Sequence, residues 1–332
     1  MTHDLGTSNT TATRPHTLHT FANGDRMPLI GLGTWKSDPG DVYAAVREAI
    51  RLGYRHIDCA MLYGNEAEIG NALRDAIRGG EVTRKDLWIT SKLWCNSHGQ
   101  ANVAPALRKT LSDFGLEYLD LYLIHWPIPL KPTSVLPGSA DDFLPIAEAP
   151  LPSTWAGMEA AVDAGLVRHI GVSNFSAKKI RGLIPHCRIK IEVNQVERHP
   201  LLQQSALLDY CASQGIHVTA YAPLGSGDRP AFVKAADAPV LLDQPAIRTI
   251  AGARGCTPAQ VLLAWQVRQG ISVVPKSVTP FRLAENLAAG DLELTKSERE
   301  QIASLDRGYR MIAGDFWALP GSPWSLATIW DG

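Results

Sequence analysis

The run YLDLYLIH, residues 118–125, is apolar except at Asp120 and His125. A strand with one face in water alternates polar and apolar residues. Near-continuous apolarity instead fits a strand covered on both faces, as in a parallel sheet. Seven other short runs are strand candidates, several of them apolar nearly throughout: LIGLG (29–33), RHIDC (55–59), LWITS (87–91), VRHIGVS (167–173), IKIEVNQ (189–195), HVTAYA (217–222) and ISVVP (271–275). Segments of helical period separate them. In DVYAAVREAIRLG, residues Val42, Ala45, Val46, Ala49 and Ile50 form one apolar stripe, and Gly53 is placed to end it. Val103, Leu107, Leu111 and Phe114 repeat the stripe before Gly115. Pro258 after Thr257 opens a further helix, with Leu263, Ala264 and Val267 on one face before Gly270. Eight strand–helix units between about 29 and 290 predict an α/β fold, a (β/α)8 TIM barrel.

Residues 1–17 read as a flexible leader and 18–332 as a single barrel domain. Ahead of the first barrel strand, Asn23-Gly24 signals a β-hairpin that would plug the barrel base. Residues 127–152 form a Pro-rich loop too long for a simple connector. Residues 307–332 are an aromatic tail with Tyr309, Phe316, Trp317, Trp324 and Trp330.

Composition narrows the function classes. The chain has 332 residues and a net charge of −1, so no basic surplus points to nucleic acid. No run of about 18 apolar residues predicts a membrane span, and the N-terminal stretch lacks the apolar core of a secretory signal. The five cysteines lie scattered without a CxxC pair, which argues against a disulfide framework or structural zinc. The expectation is a cytoplasmic protein without a metal.

In a barrel, chemistry gathers at the C-terminal ends of the strands. Those ends carry Asp58, with Tyr63 five residues on, then Lys92, His125, Ser173 with Asn174, Gln195, Tyr221 and Lys276. Each has a plainer reading alone: Asp58 as a partner of Arg55, Tyr63 as packing, Lys92 as a solvated charge, His125 as a satisfied core residue. GLGTWK (31–36) lacks the third glycine of a Rossmann fingerprint.

Eight motifs in order carry a family resemblance: GLGTWK, YRHIDCAMLYGNE (54–66), SKLW (91–94), DLYLIHWP (120–127), GVSNFS (171–176), NQVERHP (194–200), YAPLGS (221–226) and PKSVTPFRLAEN (275–286). From about residue 18 to 305 the chain resembles an aldo-keto reductase, of the NADP-dependent aldehyde reductase and alcohol dehydrogenase kind. The resemblance implies a catalytic tetrad of Asp58, Tyr63, Lys92 and His125. Reducing a carbonyl requires a hydride at carbon and a proton at oxygen. A tyrosine at its usual pKa of about 10 is a poor two-way proton carrier near neutral pH. Lys92, oriented by Asp58, is expected to lower it; two units correspond to about 2.7 kcal/mol. His125 would orient the carbonyl.

The same resemblance implies the cofactor site. Thr34, Trp35 and Asp58 would lie near the nicotinamide. Ser173, Asn174 and Gln195 would hold its carboxamide, and Tyr221 would stack on its ring. Leu224 and Ser226 would line the pyrophosphate path. Lys276, Ser277, Val278, Thr279 and Arg282 offer two cations and two hydroxyls, suited to a 2′-phosphate, so NADPH is expected over NADH. Glu285 and Asn286 would contact adenine. Where many relatives have Ser after the stacking tyrosine, this chain has Ala222, one hydroxyl fewer.

The expected substrate is a small carbonyl compound, an aromatic or medium-chain aldehyde, reduced to a primary alcohol. Its pocket would be walled by Trp35, Tyr63, Trp94, His125, Trp126, Phe316 and Trp317. The resemblance implies that residues 307–332 form a C-terminal substrate loop closing over it, with Trp324 and Trp330 anchoring the tail. A monomer is implied, with no nucleic-acid or membrane partner. The alternative is a cofactor-binding regulatory or sensor protein on the same barrel. A phosphate-substrate barrel enzyme would need a glycine-rich phosphate loop, for which GSGDR (225–229) is only a faint candidate.

Overall fold

The computed structural model describes residues 17–230, 234 and 237–331. The leader read at 1–17 falls outside them except for Thr17. The apolar runs form the eight strands of one parallel sheet: β3 (Leu32–Gly33), β4 (His56–Asp58), β5 (Trp88–Leu93), β6 (Leu119–Ile124), β7 (Val167–Ser173), β8 (Val193–Glu197), β9 (His217–Tyr221) and β10 (Ser272–Val273). Each pairs with its sequence neighbour. The sheet closes because the first strand meets the last: Gly31 N donates to Val273 O at 2.9 Å and Gly33 N to Pro275 O at 3.0 Å. A Cβ on Gly33 would sit 2.5 Å from Val274 O. The glycines of GLGTWK thus serve barrel closure, where only a bare backbone fits.

Helices cover the outside. After β3 comes α1 (Asp41–Leu52), whose predicted stripe is buried and whose end is Gly53 in the left-handed region, φ 105°. There follow α2 (Glu66–Arg78), α3 (Gln100–Phe114), α4 (Leu151–Asp163), α5 (Ala177–Leu183) and α6 (Ser205–Ser213). Two helices, α7 (Pro245–Arg254) and α8 (Pro258–Val267), lie between β9 and β10. Last come α9 (Pro280–Ala288), α10 (Lys296–Ala303) and the short α11 (Leu326–Trp330) of the tail. The sequence reading gave α8 a single apolar face, but every residue from Val261 to Val267 is buried, so neighbours cover it all round.

The N-terminal hairpin is present, with β1 (Leu18–Thr20) antiparallel to β2 (Arg26–Pro28). Its connection spans five residues, longer than a minimal two-residue turn, with Asn23-Gly24 inside it. The longer turn lets Phe21 point inward. Phe21 stacks on Trp88, ring centroids 5.2 Å apart, and joins Met27, Leu121, Leu123 and Val193 in one cluster. Trp88 begins β5, so the hairpin closes the N-terminal end of the barrel and leaves the C-terminal end open. Most of the long loop after β6 is irregular, as read, although α4 already begins at Leu151.

Candidate active site

At the open end β4, β5 and β6 bring four side chains together. Lys92 lies one residue before the end of β5, its side chain wholly buried. Its Nζ donates to Asp58 Oδ1 at 2.7 Å, to Cys59 O at 2.7 Å and to the Tyr63 hydroxyl at 3.4 Å. Asp58 ends β4, and its second oxygen accepts from Gln195 Nε2 at 2.7 Å. Tyr63 stands on a single helical turn, Met61–Tyr63, ended by Gly64 at φ 69°. Its ring meets the His125 ring edge-on, centroids 6.0 Å apart. Arg55, the plainer partner for Asp58, instead donates to the Ile50 and Tyr54 carbonyls.

The electrostatics follow from burial and from that one ammonium. Burial opposes the charge on Lys92, but the Asp58 carboxylate and the Tyr63 oxygen together outweigh it, and the ammonium is held above its ordinary range. Burial, with a smaller push from Lys92, takes His125 well below its usual value, so the ring is neutral at neutral pH. Tyr63 differs from the expectation. Lys92 does favour the phenolate, but burial of the hydroxyl is the larger effect, and the pKa is pushed up to about 12.

A cavity of about 1080 Å³ opens in front of these groups. That exceeds what a small carbonyl compound fills and suits a larger second ligand beside it. Trp35, Trp94 and Trp126 line it, as does Thr34, whose hydroxyl donates to Asp58 O at 2.9 Å. Next come Ser173, Asn174, Gln195 and Tyr221. Ser173 Oγ donates to Gln195 O at 2.8 Å, Asn174 Nδ2 to His125 O at 2.8 Å, and the Tyr221 hydroxyl to Asn174 Oδ1 at 2.8 Å. These bonds tie β6 through β9 into one rim. Asn174 and Ala222 both adopt left-handed backbone, φ 63° and 47°, where the chain turns out of β7 and β9. Leu224 and Ser226 lie further along the wall.

The far end holds Lys276, Ser277, Val278, Thr279 and Arg282, with Glu285 and Asn286 beyond. Arg282 is exposed, lies over the Phe281 ring and forms no ion pair among the described residues. Two cations with hydroxyls between them form a donor set for a phosphate dianion, so the residues present fit a phosphorylated dinucleotide.

Two predicted residues do not line the cavity. Lys92 sits behind Tyr63 and Asp58. Trp317 is fully buried between Trp94 and Trp126, ring centroids 5.8 and 5.7 Å away, while Phe316 reaches the cavity.

Other residues at the site escaped the sequence reading. Lys36 pairs with Asp228 at 2.6 Å, and Lys276 reaches the same carboxylate at 3.9 Å, so Asp228 bridges two loops across the cavity. Lys36 and Arg248 also line the cavity, making four cations with Lys276 and Arg282. Strand β8 runs two residues past Gln195 to Glu197, whose carboxylate is fully buried and accepts from Met311 N and Ile312 N at 2.5 and 2.8 Å. Glu197 lies two residues beyond the run read at 189–195, and nothing in its local sequence points to the tail amides it binds.

Residues 29–307 match the model of the aldo/keto reductase family. An aldo/keto reductase of Synechocystis is 56% identical, over 94% of this chain and 95% of that protein. Human aldo-keto reductase family 1 member A1 is 46% identical, over 89% of this chain and 90% of that protein. The structure of an aldose reductase from Schistosoma japonicum superposes with a TM-score of 0.82 at 40% identity, covering 92% of this chain and 96% of that one.

Proposed function

The chain belongs to the aldo/keto reductase family, a family of oxidoreductases acting on small carbonyl compounds with a nicotinamide cofactor, and from that premise we propose that it is an NADPH-dependent aldehyde reductase with Tyr63 as proton donor. The observation that carries the reading is the chain of contacts from Asp58 through Lys92 to the Tyr63 hydroxyl, set in a cavity whose other end holds Arg282, which forms no ion pair among the described residues.

NADPH, when bound, supplies the hydride to the carbonyl carbon. Lys276, Ser277, Thr279 and Arg282 would hold its 2′-phosphate, Tyr221 would offer an aromatic face, and Asn174 and Gln195 would meet the carboxamide. The protein's own part is then to bind the carbonyl and supply a proton. Neutral His125 offers a ring N–H to the carbonyl oxygen without placing a second cation beside Lys92. Tyr63 gives its proton to that oxygen as the alkoxide develops, and Lys92 stabilises the phenolate left behind. Asp58 holds the ammonium in place and offsets its charge. Trp35, Trp94, Trp126 and Phe316 keep water from the reacting centre and suit an aromatic or medium-chain aldehyde. Trp317, buried behind them, would support that wall.

The test is NADPH oxidation, followed by absorbance over a panel of aldehydes, with wild type beside Tyr63→Phe. Turnover by wild type and its near-loss in the variant support the reading. Binding of NADPH without turnover of any aldehyde would favour a cofactor-dependent sensor instead.

A further inference from the structure

The tail that supplies part of the cavity wall is fastened at two points by residues outside the cavity lining. At one, the buried carboxylate of Glu197 accepts from the Met311 and Ile312 amides. At the other, Lys179 in α5 donates to the carbonyls of Thr328 and Ile329, both at 2.8 Å, and pairs with Asp331 at 2.5 Å. A cation is well placed there. The last carbonyls of α11 have no partner within the helix, and their dipole favours positive charge. Ser176 also donates to Asp331.

This second fastening fixes Trp330. Its indole N–H donates to Ala313 O at 2.7 Å, its ring meets Trp126 with centroids 5.6 Å apart, and the Arg310 guanidinium lies over its other side. Ala313 adjoins Ile312 and precedes Phe316 by three residues, and both of those line the cavity. Phe316 packs edge-on against Trp126, centroids 5.8 Å apart. Lys179 itself does not line the cavity, yet it connects to two of its walls through Asp331 and Trp330.

We propose that Lys179 and Asp331 are positioning residues: through the Trp330 indole and the Ala313 carbonyl they hold Ile312 and Phe316 as a fixed wall, and so set the size of aldehyde the cavity takes. The proposal rests on the reductase reading above for the nature of the substrate. It departs from the expectation of a loop that closes over the pocket, because a tail tied at both ends is a preformed wall.

The experiment compares wild type, Lys179→Met, Lys179→Arg and Asp331→Asn with a bulky aromatic aldehyde, a small aliphatic aldehyde and NADPH. For Lys179→Met and Asp331→Asn the KM of the bulky aldehyde rises about tenfold. Their kcat, the KM of the small aldehyde and the NADPH Kd change less than about twofold. Lys179→Arg keeps the charge and behaves as wild type. Hydrogen exchange of the 311–319 amides, measured without substrate, is faster in Lys179→Met than in wild type. Equal KM shifts for both aldehydes, or unchanged exchange, overturns the proposal. If wild type turns over no aldehyde with NADPH, the reductase reading fails, and the exchange comparison still decides the fastening.

Discussion

Gln195 donates to the one carboxylate oxygen of Asp58 that Lys92 leaves open, each bond 2.7 Å long. The residue assigned to the nicotinamide and the residue assigned to proton transfer are therefore joined through Asp58. With both oxygens engaged, Asp58 is held in place, and the buried Lys92 ammonium has a fixed counter-ion.

Asp58→Asn removes that counter-ion and leaves Lys92 as an uncompensated buried charge. Breaking a buried pair from one side costs about 3–5 kcal/mol. Denaturant unfolding at neutral pH is expected to show a loss of that size. The Lys92 ammonium, no longer favoured by a carboxylate, titrates at lower pH, so the high-pH limb of the activity profile moves down. A variant with wild-type stability would show that the pair does not hold Lys92 charged.

The height of the Tyr63 pKa makes a second claim. A group that titrates at about 12 stays protonated through the neutral range. Aldehyde reduction, which needs the proton, is expected to be flat in pH there. Alcohol oxidation needs the phenolate, and its rate should rise about tenfold per pH unit below the pKa. Measuring kcat/KM in both directions checks this. An oxidation rate that levels off near neutral pH would mean that another charge in the ternary complex lowers Tyr63.

How far the site could be read from sequence depends on the residue. The strands were legible because a strand buried on both faces has no polar alternation, as in 118–125. Asp58, Tyr63, Lys92 and His125 were legible because strand ends collect chemistry in a barrel. The direction of the Tyr63 shift was not: the sequence names its partner, Lys92, but burial is set by the fold, which brings Trp35 and His125 against the ring. Asp228 was missed for a related reason. Its partners Lys36 and Lys276 come from distant loops that meet only when the barrel closes. The hairpin was legible because Asn23-Gly24 is a local turn signal, whereas the seat of Phe21 against Trp88 and His169 is tertiary and was not.

Cofactor choice yields a prediction that needs no turnover. Arg282→Ala removes a charge-assisted donor from the far end of the cavity. Such a bond is worth about 1.5–3 kcal/mol, or roughly 10- to 150-fold in Kd. Fluorescence titration should show that loss for NADPH and less than about threefold change for NADH. Equal losses for both cofactors would move Arg282 away from the 2′-phosphate.

The last prediction concerns acid. His98 is 2% exposed, and burial lowers its pKa to about 4 from an ordinary 6.5. The unfolded chain therefore binds a proton between those values that the folded chain refuses. Stability tied to His98 is complete above pH 6.5 and is lost progressively as pH falls toward 4. The full difference is about 3 kcal/mol. His125 and His217, both held well below their usual values by burial, act in the same direction. His169 opposes them. Burial lowers its pKa, but hydrogen bonds and charge from Glu192 and Asp25 raise it more, so its contribution is present at low pH and fades as pH rises above 6.5. With His19 and His56, also lowered by burial, five histidines against one predict that unfolding free energy falls between pH 6.5 and 4. His98→Asn, weaker at neutral pH through lost packing, should show a shallower fall than wild type by about 3 kcal/mol. Parallel curves for the two proteins would show that His98 does not couple folding to protons.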